Sequence, residues 1–400
     1  MGFKIGESVL SLNVVLLLPI GLFWLLRKFR ISKTTLFSSV AFILFVLISF
    51  GVAQLGPCED KLSKALISAP LLTILLIIGL EIGARATHQE WLNLRTTAFR
   101  IMVVAFLFVA AEMLLPNLFP IYKLVYQKEF KYSGIFYEPS HIATSLFPCI
   151  AILLSSKDKS YNKKGIISLV LLFILSRSST LVMLTLSYVA YRIFIMSELK
   201  QGLKYLAIIT LVAATAVTLN YELLIAPTVD RFDSVTSLIA EETTSSSNEN
   251  LSSMIYYKGW QDAIANFTRT YGLGLGFNMM GCRPLPDTPL RRIFILTGRP
   301  DVNNEDGSFL ISKMISEFGI IGLVFILWAI WRLLKYEKKT NKLTGIVNVE
   351  VASVHKMLMF SFVICSLIRS AGYFQGTALL WATAMMASAS TFKKNVNAQK

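Results

Sequence analysis

The feature that most constrains this chain is a series of apolar blocks, each long enough to cross a bilayer. TLFSSVAFILFVLISFGVAQ (35–54) carries no charge, and about 20 such residues match the hydrocarbon thickness. In water a helix buries one stripe; here the blocks are apolar all round, as a helix needs where lipid covers it. Only 16% of residues are charged and 54% are hydrophobic, against about a quarter charged in an ordinary soluble domain. Eleven spans are predicted, at 8–26, 35–54, 66–83, 98–116, 140–155, 165–176, 179–197, 203–220, 308–331, 356–370 and 372–391. The predicted fold is therefore an all-α polytopic membrane protein with about 11 transmembrane helices (range 10–12) and one large loop. Helices 1–8 fill residues 1–220, the loop 221–307, and helices 9–11 with a tail 308–400. The first block lacks a basic lead-in and a cleavage site, so it counts as a span and not a signal peptide.

Orientation follows from lysine and arginine in the short loops. RKFRISK (27–33), SKDKSYNKKG (156–165), SELKQGLK (197–204), RLLKYEKKTNK (332–342) and the tail KKNVNAQK (393–400) form one lysine-rich set of alternate loops. This set, with 84–97, is expected in the cytoplasm. The N-terminus, 55–65, 117–139, 176–179, 221–307 and the turn near Arg369 are expected outside. The net charge of +15 is thus explained by topology, and a nucleic-acid partner is not expected. No internal repeat is evident, so an inverted-repeat transporter gains nothing.

The large loop contains a polar stretch (241–253) and then MIYYKGWQDAIANF (254–267). Met254, Tyr257, Ala263, Ile264 and Phe267 recur at helical spacing, which predicts an amphipathic helix on the membrane surface. YGLGLGF (271–277) is not a dinucleotide fingerprint, because its glycine spacing is wrong and no strand–helix unit surrounds it. It reads either as a flexible connector or as backbone that approaches a ligand closely. The cations that follow, Arg283, Arg291, Arg292 and Arg299, are all arginine, as is Arg269. Arginine's planar fork suits phosphate, and pairing with Asp287, Asp301, Glu305 and Asp306 is the bland alternative. Cys58 and Cys282 both fall outside, where a disulfide can form, whereas Cys149 and Cys365 lie in apolar blocks. No Cys/His cluster suggests a metal.

Further charges gather at the same outer face. Arg177 sits at the turn SRSST (176–180) and Arg369 at the turn before the last span. Lys313 and Glu317 are spaced to neutralise each other on one helix face. Glu138, followed by Pro139, Ser140 and His141, opens a span on this side. Pro139 suits a first helical turn, and an acidic start suits the helix dipole. The sharper reading sets Glu138 across a cavity from the arginines, as a base toward a sugar hydroxyl.

Together these pieces resemble the O-antigen polymerase (Wzy) family, related to the O-antigen ligase superfamily. FYEPSHIA (136–143), SRSST (176–180), the GLGLGF and GSFLISKMISEFGIIGLV segments, and IRSAGYFQGTALLW (368–381) carry the likeness, which covers most of the chain from residue 130. The resemblance implies a glycosyltransferase C-type membrane fold in a bacterial inner membrane, with its site on the periplasmic side. It implies a metal-independent, cofactor-free transfer that joins repeat units carried on undecaprenyl pyrophosphate, donor and acceptor both, within membrane lipid. A chain-length regulator is the protein partner it suggests. It assigns Arg177 and some of Arg283, Arg291 and Arg292 to the donor pyrophosphate, with Arg369 able to join them. Glu138 becomes the candidate base. The ligases' loop histidine has no counterpart in VNNEDGSF (302–309). That departure speaks against a ligase and leaves the base open among Glu138, His141, Glu305 and Asp306. An exopolysaccharide polymerase is a sister reading. A flippase of lipid-linked sugars is the alternative of another class, though it wants charges along a central path.

Overall fold

The computed structural model describes residues 2–5, 8–11, 31–54, 62–118, 131–136, 138–196, 203–207, 210, 251–282, 309–340, 346–369, 372–374 and 376–398. It is a helical bundle. The helices are α1 (Lys33–Gln54), α2 (Leu62–Arg85), α3 (His88–Leu114), α4 (Pro139–Ser155), α5 (Lys159–Ser176), α6 (Ser179–Ala190), α7 (Leu251–Arg269), α8 (Leu310–Thr340), α9 (Ile346–Ile368) and α10 (Gly376–Ala398). Strands β1 (Gly2–Ile5) and β2 (Ser8–Ser11) form an antiparallel pair, with Gly2 opposite Ser11. Residues 8–11 are therefore extended, where the first span was expected to begin. The rest of that span, most of 203–220 and most of the loop lie outside the described residues.

Among the described residues, four helices are long and apolar enough to cross a membrane, within α2, α3, α8 and α9. Four more stretches, in α1, α4, α6 and α10, are apolar but shorter. The chain is a helical membrane protein in this sense. Large apolar side chains such as Phe37, Ile48 and Leu107 point away from the bundle, where lipid solvates them at no cost.

Local chemistry sets the helix ends. Thr87 and Glu90 close a capping box at the start of α3, which satisfies amides that lipid cannot. Asp158 caps α5 through the Ser160 amide at 2.8 Å. The long apolar block 165–197 is broken at Arg177 and Ser178, between α5 and α6. Beyond Ala190 the chain widens into a π turn, Tyr191–Ile195. The last two spans are longer than predicted, because α9 starts at Ile346 and α10 runs to Ala398.

α4 and α9 form the centre. Almost every residue of α4 from Ile142 to Ser155 is buried, and 78% of the apolar core of α9 is buried. They run antiparallel in register: Cys365 Sγ reaches Thr144 O at 3.9 Å, and Ser353 Oγ donates to Ser155 O at 3.2 Å. At one end Glu350 accepts the Lys157 amide at 2.7 Å and pairs with Arg95 at 3.2 Å. The other end, termed the loop end below, carries Glu138 and Arg369.

α8 is broken at Gly319 (φ 55, ψ −128). A broken helix in an apolar setting must find partners for its freed backbone groups. The glycine-rich segment supplies them: Leu275 N donates to Ser316 O and Gly276 N to Glu317 O, both at 2.9 Å, while Ile320 N donates to Gly272 O at 2.8 Å. This corrects the expectation for YGLGLGF. The glycines do make a close backbone approach, and the partner the structure shows is α8. A Cβ on Gly319 would stand 1.9 Å from Gly272 O, and one on Gly274 2.4 Å from Glu317 O.

α7 also departs from its expected role. It packs on α8 and buries Met254, Ile255, Lys258, Asp262, Ala263 and Asn266, while Ile264 is 64% exposed. Lys258 and Asp262 neutralise each other at 2.5 Å; Tyr256 stacks on Phe309 at 4.5 Å, and Trp260 meets the same ring at a tilt, 5.0 Å away. α7 thus packs one face against the bundle wall.

Gly319→Ala should cost at least about 2 kcal/mol, since it adds both a clash and a strained φ. Gly51→Ala is the control, because a Cβ there meets nothing within 4 Å. Thermal melts in detergent should show a large drop for the first and little change for the second; equal melts would contradict the broken-helix junction.

Candidate functional site

Glu138 is the N-cap of α4, with an extended backbone (φ −144, ψ 163) and no capping hydrogen bond from its own side chain. Pro139 at the first helical position needs no amide partner there, so the carboxylate is released to other groups. Arg369 Nη2 donates to Glu138 Oε1 at 2.7 Å. Ser140 Oγ donates to the same oxygen at 2.6 Å, and His141 Nε2 lies 3.2 Å from it. Arg369 follows the last turn of α9 and donates its own amide to Cys365 O at 3.0 Å. The antiparallel register of α4 and α9 is what brings these two ends together.

The pair is half-hidden, with side chains 17% and 18% exposed. Burial alone raises the Glu138 pKa. Arg369, then His141 and the Ser140 hydroxyl, outweigh it and hold the carboxyl below its ordinary value. Glu138 is thus kept ionised at neutral pH by an opposite charge.

The segment leading into Glu138 is itself fixed. Glu112, near the end of α3, accepts the Ser133 and Gly134 amides at 2.8 and 2.7 Å. Tyr132 N donates to Leu175 O at 3.0 Å, which ties this segment to the end of α5, two residues before Arg177. Arg177 adopts a left-handed backbone (φ 44, ψ 38) at the α5 C-cap. Glycine usually holds that place, and a side chain there costs of order 1 kcal/mol.

A second polar centre lies at the same end. Glu317 is fully buried and accepts the amides of Asn278 and Met280 at 2.8 and 3.0 Å and the Tyr373 hydroxyl at 2.5 Å. Lys313 stands 3.6 Å away, the i,i+4 arrangement the sequence suggests. Asn278 Nδ2 also reaches Ser68 of α2 at 2.9 Å.

Of the residues singled out in the sequence, Glu138, His141 and Arg369 are in direct contact, and Arg177 stands at the neighbouring turn. Arg283, Arg291, Arg292, Glu305 and Asp306 lie outside the described residues. Cys282 is disulfide-bonded, while Cys149 and Cys365 are free thiols; Cys58, the expected partner, also lies outside the described residues. Sequence reasoning missed Glu112, Tyr373 and the contacts of Glu317. The only signal was a carboxylate inside an apolar span, as at Glu112 and Glu317. Among the described residues no group of three or more His, Cys, Asp or Glu side chains is placed to hold a metal ion.

Because its folded pKa is depressed, the pair contributes stability above the ordinary carboxyl value of 4.5, and that contribution fades as pH falls through the folded pKa. Arg369→Ala should destabilise the protein by about 1.5–3 kcal/mol at neutral pH. The gap between parent and variant melting temperatures should close between about pH 5 and pH 3. A gap that stays constant with pH would place Arg369's contribution elsewhere.

No family model, curated protein or solved structure matches the chain.

Proposed function

We propose that the chain is a polyprenyl-pyrophosphate-dependent glycosyltransferase that polymerises lipid-linked oligosaccharide units at the outer face of a bacterial inner membrane. The observation that carries this reading is the meeting of Glu138 and Arg369 at 2.7 Å, at the end of the bundle to which the large loop returns. One group is a base held ionised; the other is a fork suited to phosphate. The sequence resemblance to O-antigen polymerases supplies the substrate class.

In this reading Glu138 takes the proton of the acceptor hydroxyl as it attacks the anomeric carbon of the donor sugar. The bond to the pyrophosphate oxygen breaks, and the lipid pyrophosphate leaves with its charge met by arginine. Arg369 has two possible anionic partners, and a donor phosphate competes with Glu138 for its guanidinium. Once the arginine turns toward phosphate, burial raises the Glu138 pKa and makes it a better base. Arg177 and the loop residues Arg283, Arg291 and Arg292 are the remaining phosphate candidates. Glu305 and Asp306 are the alternative bases.

Three further features support the reading. A cavity of about 320 Å³, lined by Phe45, Leu76, Phe277, Phe318, Tyr373 and Trp381 among others, offers a wholly apolar wall to part of a polyprenyl chain. It adjoins Tyr373, four residues after Arg369. The Cys282 disulfide suits an oxidising compartment on the loop side. The lysine-rich connections then face the cytoplasm, as the eleven-span topology requires. A flippase of lipid-linked sugars wants charge along the middle of the bundle. Lys356 and Glu337 do pair inside at 3.1 Å, but they lie toward the opposite end from Glu138.

Glu138→Gln and Glu138→Asp should both abolish long polymer while leaving protein level unchanged, since loss of a general base costs about 10²–10⁴-fold in rate. Gel analysis of surface polysaccharide reads this directly. Normal ladders from Glu138→Gln would move the search for a base to His141, Glu305 or Asp306. Deleting the gene should leave a single repeat unit on the lipid core; no O-antigen on the core, with polymer retained on the carrier, would instead indicate a ligase.

A further inference from the structure

Arg369 and Tyr373 stand in the short connection between α9 and α10, and each is held by a carboxylate from a different helix. Arg369 pairs with Glu138 of the α4 cap at 2.7 Å. Tyr373 donates to Glu317 of α8 at 2.5 Å. The same Glu317 carboxylate accepts the Asn278 and Met280 amides, which end the glycine-rich segment just before Cys282 and the arginine-bearing part of the loop. Aromatic contacts support the junction: the Tyr373 ring stacks on Phe277 at 5.3 Å and lies tilted against Phe318 at 5.9 Å. Gly372 beside it has φ 78, a left-handed conformation that glycine adopts without strain.

We infer that Glu317 is a positioning residue for the Glu138–Arg369 site: one carboxylate fixes the returning loop and the Arg369 connection in a single relation. Seating of the loop is thereby coupled to seating of Arg369 on Glu138. A buried carboxylate with several donors is a strong junction, because each donor it loses leaves an acceptor unsatisfied in an apolar setting. Lys313 at 3.6 Å balances its charge from the same helix, and its ammonium also lies 5.4 Å from the Tyr373 ring centroid. This rests on the reading of Glu138 and Arg369 as the reacting centre.

Tyr373→Phe tests the link with least damage, since it removes one hydroxyl and keeps the stacked ring. Glu317→Gln is the stronger lesion, because the two amides meet different oxygens of the carboxylate and one of them would then face an amide nitrogen. Two readouts apply. In a Ser140→Cys background, labelling by a membrane-impermeant maleimide, measured against the parent chain, reports how tightly the site is closed. Both variants should raise its rate about tenfold. The pH profile of polymerisation reports Glu138 itself, which faces Arg369, His141 and Ser140. With Arg369 less well seated, burial dominates and the acid limb of the profile should move to higher pH. Unchanged labelling in both variants overturns the inference, whether or not the chain proves to be a polymerase. An unmoved acid limb in an active Tyr373→Phe enzyme also contradicts it. Normal polymer from Glu138→Gln would instead overturn the catalytic reading and leave the labelling result to decide this one.

Discussion

α4 and α9 lie against each other along their length, in a register that fixes which polar groups meet at their two ends. The contact is apolar in the middle and polar at both ends. Glu350 secures one end through Arg95 and the Lys157 amide, and Arg369 meets Glu138 at the other. In an apolar solvent, helices gain little from hiding hydrophobic surface, so close packing and polar contacts decide how they associate. Buried ion pairs are poor sources of net stability, yet they specify register, because a slipped helix leaves a charge unpaired. Here the register has a chemical consequence, since it sets a carboxylate and a guanidinium side by side at the loop end.

The second organising element is the break in α8. Gly319 opens the helix, and residues 272–276 repair it with three backbone hydrogen bonds. That repair anchors the loop to the bundle at one point and leaves Glu317 aimed at the loop and at Tyr373. Irregular backbone at membrane depth is tolerated where protein covers it, and the α8 junction meets that condition.

The coarse fold was legible because span length is a physical requirement of a bilayer. Most predicted spans coincide with helices, and the split at SRSST falls where α5 ends. Partners were less legible. Nothing in YGLGLGF says whether its glycines approach a ligand or another helix; that depends on Gly319, more than forty positions on. The face of α7 was misjudged because Lys258 and Asp262 cancel each other at i,i+4 and can be buried together. Glu138 and Arg369 were each suspicious as charges at span ends, but their contact spans 231 positions, and only the packing of α4 on α9 creates it. The network at the opposite end, where Tyr191 and Lys356 meet Glu337 at 3.0 and 3.1 Å, gave no local signal beyond a π turn that no periodicity reveals.

The proposed function is that this chain carries out the chemistry of chain growth. Purified protein in vesicles, given only polyprenyl-pyrophosphate-linked oligosaccharide, tests it most directly. The account predicts a ladder of products that differ by one repeat unit, with lipid pyrophosphate released in step. Substrate recovered as single units, or merely moved across the vesicle membrane, would contradict it.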